Sequence, residues 1–372
     1  MTTIKPDAQN PLRILELESI RGIAALLIVF YHIPKWNPLL DIGIINNAYL
    51  IVELFFVLSG FVIYNAYADR ISSVKDLLRF QFLRFGRLYP VHLLFLIAFI
   101  FIEVSKYFAQ AKFGVILPNT QPFRENNLIA IIEQVFLVQA IGPTGNALTF
   151  NYVAWSISVE FYTYLVFGFI LLVAAKTKNF IFLLLTLIII VLLGTNTTLG
   201  FEYLLRCLAG FFIGCLTALA VNRLKVSVPK YTSLLFIFFI IIYIHIKTSH
   251  EYDLVIYFLA AQLIACIVLT RNGYLNNLLK LQILTWLGSI SYSLYMSHFI
   301  VIWLSNQFIR LVLKKPEILR EGQSLPQLSN IETVTACLII IVATLLVASL
   351  VYQFVERPMR EKSRKIAFDK LS

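Results

Sequence analysis

The run Ile181-Phe182-Leu183-Leu184-Leu185-Thr186-Leu187-Ile188-Ile189-Ile190-Val191 carries no charge and no helix breaker. Stretches of this kind constrain the fold more than any other feature of the chain. In lipid no water is at hand for backbone N–H and C=O groups, so a spanning segment must satisfy them internally, as a helix does. Apolar stretches recur along the sequence, and we read about ten spans. They lie at roughly 18–37, 46–68, 90–108, 152–174, 179–194, 201–221, 232–247, 252–271, 282–307 and 332–355, each near the ~20 residues a bilayer requires. Composition agrees, with 59% hydrophobic and 14% charged residues, against about 45–50% and about 25% in soluble domains. The expected fold is an all-α integral membrane protein. It forms one domain over 1–372, with a core at about 14–360 and a basic, solvated tail at 361–372.

Lysines and arginines set the orientation. With the N-terminus inside, Arg70, Lys75, Arg79, Arg84, Arg87, Lys176, Lys178, Arg223, Lys230 and Lys280 fall in cytoplasmic segments, together with the basic residues after Glu356. Fewer lie outside, so both termini are expected in the cytoplasm. The loop 309–331, with Arg310, Lys314, Lys315 and Arg320, is basic for an outer segment. The first span follows a polar leader and carries Arg21, so it is expected to stay in the mature chain rather than be cleaved. Cys207, Cys215, Cys266 and Cys337 sit in apolar runs without a CxxC pair and read as small core residues. HExxH, Walker A and GxGxxG patterns are all missing, so neither a zinc hydrolase nor a nucleotide-driven pump is suggested.

Ionisable residues inside spans mark functional sites by default. In the first span Arg21 and His32 are eleven positions apart. At about 100° per residue they share one helix face, roughly 16 Å apart along the axis. The second span holds Ser59 and Glu53, the latter read either as the carboxylate that orients His32 or as an outer-rim residue facing water. The fourth holds Trp155, Ser156 and Glu160, where the glutamate either binds substrate or holds an arginine. Arg206 in the sixth is read as snorkelling to the outer headgroups, or as functional. In the ninth, Ser291, Tyr295 and His298 form one polar face at i, i+4 and i+7. Between spans two and three, residues 76–90 read as an amphipathic helix on the inner surface. It carries Arg84 and Arg87, suited either to phosphate or to lipid headgroups. Residues 128–137 form an amphipathic stretch too short to span, lying on or dipping into the outer surface. Glu356-Arg357-Pro358 reads as a helix stop with a capping ion pair.

In this order these pieces resemble the acyltransferase-3 family of bacterial membrane acyltransferases. Glu18-Ser19-Ile20-Arg21-Gly22 through His32 is similar to its Arg-x10-His motif. Glu53 to Phe61, Trp155 to Glu160, Gly288 to His298 and Glu356-Arg357-Pro358 are similar to four further motifs of the family. Glu18 and Glu53 stand where aspartate is more usual, and Gly86 where another arginine often stands. The resemblance implies O-acyl transfer, most often of acetyl from acetyl-CoA, to surface polysaccharide such as O-antigen (lipopolysaccharide), capsule or exopolysaccharide. It implies His32 as general base assisted by Glu53. The donor, acyl-CoA, would be held by Arg21, Arg79, Arg84, Arg87 and Arg357. Glu18, Ser59, Trp155, Ser156, Glu160, Arg206, Ser291, Tyr295 and His298 would bind substrate or support the site. The expected partners are acyl-CoA, a polyprenyl-linked or extracytoplasmic glycan and membrane lipid, without metal or nucleic acid, in the bacterial inner membrane. The rival readings are a glycolipid transporter or flippase without acyl-transfer chemistry, and a non-catalytic sensor or scaffold.

Overall fold

The computed structural model describes residues 14–114, 121–142, 145–224, 226–248, 253–270, 273–320 and 322–369. Helix α1 (Leu15–His32) is followed by a loop with the short α2 (Gly43–Asn46), then α3 (Ile51–Tyr67), α4 (Val74–Phe113) and α5 (Leu128–Phe136). Next come α6 (Trp155–Val173), α7 (Lys178–Gly194), α8 (Glu202–Arg223), α9 (Thr232–Ile246) and α10 (Leu254–Leu269). The short α11 (Tyr274–Leu279) leads to α12 (Gln282–Ser289) and α13 (Ser291–Leu311). The hairpin β1 (Glu317–Arg320) and β2 (Gln323–Pro326) precedes α14 (Asn330–Val351) and α15 (Arg357–Asp369). Every expected span falls on a helix or a helix pair. Among the described residues, five helices are long and apolar enough to cross a membrane, or six if α12 and α13, bent by 69°, count as one broken span.

The opening run lies in α7, where it buries Phe182, Thr186 and Ile189 and exposes Leu183, Leu187 and Val191. One face therefore meets the bundle, and in a membrane the other meets lipid tails. The main core runs through α1, α3, α4, α6, α8 and α10 and includes the junction of α7 with α6 and α8. There the ring of Phe182 stacks on Phe167 at 5.7 Å and on Phe212 at 5.0 Å between centroids. All four cysteines are buried and free.

Two expectations need correction. Residues 76–90 are not a separate surface helix but the first part of the 40-residue α4. The helix starts at a Ser73–Asp76 capping box and runs through Pro90. At about 1.5 Å per residue it is some 60 Å long, well beyond a ~30 Å hydrocarbon core, so one end must project. Nor is the chain after Glu356 a free tail. A five-residue π-helical turn, Tyr352–Glu356, carries it into α15. There Ser363 and Ala367 are buried, and Phe368 lies under Arg79 with the guanidinium 3.9 Å from the ring centroid. The tail residues 370–372 lie outside the described residues. In the basic loop 309–331, two of the four cations meet carboxylates. Arg310 pairs with Glu317 at 3.6 Å, Lys315 pairs with Glu332 at 2.5 Å, and Arg320 donates to the Lys35 carbonyl at 3.1 Å.

The short α5 dips inward. Tyr89 donates to the Val135 carbonyl at 3.1 Å, and His92 Nε2 meets the Gln134 carbonyl at 2.9 Å. Its connection back to α6 is tied down by the Asn151 amide, which donates to the Met296 carbonyl at 3.0 Å. The segment thus reaches α4 within about two turns of Arg87.

Candidate active site

Helices α1 and α13 run in the same direction. Near the start of α1, Gly22 and Gly288 let α1 and α12 cross backbone to backbone; a Cβ on Gly22 would sit 2.6 Å from the Gly288 nitrogen. Glu18 lies at the same crossing, its backbone against Gly288. At the far end Trp36 donates to the Asn306 side chain at 3.0 Å. Helix α4 is parallel to both: Tyr292 donates to the Leu88 carbonyl at 2.5 Å, and the rings of Phe99 and Phe299 lie 6.0 Å apart. The three parallel helices carry Arg21, Arg87 and Ser291 at one level and His32 and His298 at another.

His32 meets His298, not Glu53. His298 Nε2 is 3.2 Å from His32 Nδ1, and the same Nδ1 is 3.0 Å from the Ile28 carbonyl oxygen. A carbonyl oxygen only accepts, so His32 Nδ1 carries a hydrogen and His298 Nε2 receives a share of it as an acceptor. His32 Nε2 then holds the lone pair, and no described residue bonds to it. His298 is fully buried. Tyr152, Phe299 and Tyr31 surround His32, with ring centroids 6.2, 5.9 and 4.8 Å away. The arrangement is a base with an open nitrogen, oriented from behind by a second imidazole.

Below this pair lies a cavity with about 570 Å³ of empty space, counting its open mouth. Arg21, Arg87, Glu160, Tyr164, Ser291 and Tyr292 give it a polar wall, and Phe55, Phe56 and Leu88 an apolar one. Val52, Ile157, Ser156 and Tyr295 complete the lining; Ser156 donates to the Tyr295 hydroxyl at 2.9 Å. The Tyr295 ring lies 5.8 Å from that of His298, so this side chain separates cavity from histidines. Glu160 accepts hydrogen bonds from Ser59, at 2.7 Å, and from Tyr164. Both donors are hydroxyls, and no arginine pairs with Glu160 among the described residues.

Glu53 belongs elsewhere. One of its oxygens takes Arg206 Nε at 2.7 Å, together with an Nη of the same guanidinium; the other takes the Tyr257 hydroxyl at 2.8 Å. The cause is the rotation of α3. Residues 53, 57 and 60 form one stripe at i, i+4 and i+7, and Val57 and Gly60 lie against the backbone of α8. Val52, Phe55 and Phe56 face the cavity instead. Arg206 is likewise not at the headgroups: it is held by Glu53, with Trp155 packed 5.0 Å from its guanidinium. Trp155 supports this pair and does not line the cavity.

The expected arginine platform is divided. Arg21 and Arg87 line the cavity. Arg84 sits behind it, donating to the Tyr67 hydroxyl at 3.4 Å and 5.8 Å from the Tyr164 ring. Arg79 covers Phe368, and Arg357 is exposed and pairs with Glu361 at 3.0 Å. Neither lines the cavity, because the turn into α15 swings Arg357 outward. Glu356, expected to cap a helix with Arg357, is instead buried and accepts from Ser293 at 2.6 Å. Sequence reading also missed Tyr152, Phe299, Tyr164 and Tyr292. They sit next to, or one turn from, residues singled out, but aromatics in apolar helices give no signal of their own.

Fold and site together define a multi-pass membrane protein with a polar cavity and a histidine pair inside its bundle. The acyltransferase-3 family model, described as an acyltransferase domain, matches residues 14–353, and the chain belongs to that family. Among curated proteins it is similar to "Putative peptidoglycan O-acetyltransferase YrhL" of Bacillus subtilis, 25% identical over 389 residues, covering 92% of this chain and 54% of the relative. It is also similar to "Protein 2 in picA locus" of Rhizobium radiobacter, 41% identical over 89 residues, covering 23% of this chain and 42% of that protein. The chain spans about half the length of these relatives, or less. No solved structure matches it significantly.

Proposed function

We propose that the protein transfers an acyl group, most simply acetyl, from cytoplasmic acyl-coenzyme A to a hydroxyl of an extracytoplasmic or lipid-linked glycan. In this reading all ten apolar segments span the inner membrane of a bacterium, with both termini in the cytoplasm, as the positive-inside rule favours. The observation that carries the proposal is the alignment of a basic cavity with the histidine pair along α1. Coenzyme A is a polyanion with a long thin arm that ends in the thioester. Arg21 and Arg87 hold its phosphate-bearing part by charge-assisted hydrogen bonds. The arm follows α1 toward His32, a rise of roughly 16 Å, and the Tyr295 side chain turns to let the thioester pass.

His32 Nε2 then takes the proton of the acceptor hydroxyl as its oxygen attacks the thioester carbonyl carbon. The C–S bond breaks, the ester forms, and the imidazolium returns the proton to the departing thiolate. Ser156 has one hydroxyl hydrogen, within reach of the Val153 carbonyl at 3.1 Å and of Tyr295 at 2.9 Å, and it can redirect that hydrogen from them to the thioester carbonyl oxygen as charge develops there. His298 is a positioning residue: its Nε2 holds the Nδ1–H of His32. The acceptor approaches past Tyr31 and Tyr152, both partly exposed. A relative named for peptidoglycan O-acetylation supports a cell-envelope carbohydrate as acceptor.

The test is acetyl-CoA-dependent release of free thiol by membranes containing the full chain, with mass spectrometry of the envelope glycans. We expect thiol release and a glycan heavier by one acyl unit, both lost in His32→Ala. A glycolipid transporter would release no thiol and leave glycan mass unchanged, and that result rejects the proposal. His298→Gln should lower turnover and displace the pH–rate profile; an unaltered profile would deny His298 its positioning role.

A further inference from the structure

We propose that helix α15 completes the donor site, with Arg360 and Arg364 joining Arg84 in a second phosphate-binding cluster outside the cavity mouth. This rests on the acyl-coenzyme A reading and extends it to a helix beyond the matched family region, which ends at residue 353.

The contact that brings α15 into place is specific. Gly86 of α4 faces Ser363 of α15 so closely that a Cβ on Gly86 would lie 2.5 Å from the Ser363 Oγ. Ala367 is fully buried one turn on, and Phe368 stacks under Arg79. Residues 360, 363, 364 and 367 follow i, i+3, i+4, i+7, so they lie toward one side of α15, the side turned to α4. Arg84 and Arg87 flank Gly86 on α4. Arg364 is within electrostatic range of Tyr67, Arg84 and Arg87, and Glu356 within range of Arg87, Arg360 and Arg21.

Charge does not balance there. Arg21, Arg84, Arg87, Arg360 and Arg364 gather around the buried Glu356 and the partly buried Glu160, each already accepting a hydroxyl hydrogen bond. Beyond these, Glu18 is in electrostatic range of Arg21, and Glu361, in range of Arg360, is already paired with Arg357. Among the described residues none of the five arginines makes an ion pair. So many guanidiniums in one place repel one another, and a polyanion relieves that repulsion. Coenzyme A carries a diphosphate and a separate 3′-phosphate on its ribose. The two clusters, Arg21 with Arg87 and Arg84 with Arg360 and Arg364, match these two groups, the outer one taking the 3′-phosphate. A lipid headgroup offers the same phosphate chemistry, so the test separates the two sources.

The full chain is placed in nanodiscs of phosphatidylcholine, with and without phosphatidylglycerol, and affinities for coenzyme A and 3′-dephospho-coenzyme A are measured. Wild type should prefer coenzyme A by about tenfold, in keeping with one lost charge-assisted phosphate contact. Arg360→Gln with Arg364→Gln should abolish that preference in both lipids while affinity for the dephospho form stays within about twofold. Arg360→Lys with Arg364→Lys should restore part of it, which a folding defect would not allow. A double glutamine variant that keeps the preference, or weakens both ligands equally, overturns the α15 cluster. A variant altered only in its response to phosphatidylglycerol assigns the arginines to lipid and also overturns it. Wild type that binds neither ligand rejects the donor reading itself, an outcome distinct from the others.

Discussion

Glu53 and Glu160 lie in two helices of one bundle and have opposite surroundings. Glu53 spends both oxygens on Arg206 and Tyr257, and Trp155 closes over the guanidinium. Glu160 is held by the hydroxyls of Ser59 and Tyr164, and it faces Arg21 and Arg87 across open space. A buried ion pair whose valences are filled specifies packing and has nothing left for a ligand. A partly buried acid beside unpaired arginines and a cavity is poised for one. Charge alone does not tell the two apart; burial, nearly complete for Glu53 and partial for Glu160, and the free hydrogen-bonding capacity of the neighbours do.

This contrast breaks down or sharpens under substitution. The largest effect is expected from His32→Ala, which removes the imidazole proposed as the base at the end of the open region. Transfer should fall by about 10²- to 10⁴-fold with unchanged thermal unfolding of the purified protein. Retained turnover would mean that the open region is not the site.

Next comes the closed region. Arg206→Leu strands the Glu53 carboxylate and should cost about 3–5 kcal/mol of stability. Glu53→Leu with Arg206→Leu should recover most of it, measured by unfolding in mild detergent. If the single variant instead spares stability and removes transfer, Glu53 and Arg206 belong to the chemistry after all.

Arg87→Gln should weaken coenzyme A binding by about tenfold through loss of a charge-assisted contact, with thermal stability held. Equal loss of stability would turn the open region into a second structural pair. The smallest effect is expected from Arg357→Gln. Its pair with Glu361 is exposed, and neither unfolding temperature nor donor affinity should move outside error, since exposed pairs contribute little.

Much of the site was legible because each motif is local. Arg21 and His32 share a face on helical spacing alone, and Ser291, Tyr295 and His298 do indeed line one side of α13, from the cavity to the histidine pair. What was misread depended on partners far along the chain. Glu53 lies in the span next to that of His32 in sequence, yet its partners are 153 and 204 residues away. His298 is 266 residues from His32. The tail after Glu356 is polar and reads as solvated, yet the small residues Ser363 and Ala367 give it a face that packs on α4 at Gly86.

The sequence by itself determined that the chain is a helical membrane protein with ionisable residues at set places along its spans. Lipid forces every spanning backbone to satisfy itself locally, and helical periodicity then places residues on faces within one segment. Only the tertiary structure decided which faces meet. Each residue turns a helix by about 100°, so a small change in how α3 packs on α8 moves Glu53 from His32 to Arg206. For the same reason the partner of His32 is a second histidine, a pairing that side-chain packing across helices settles and no local pattern encodes.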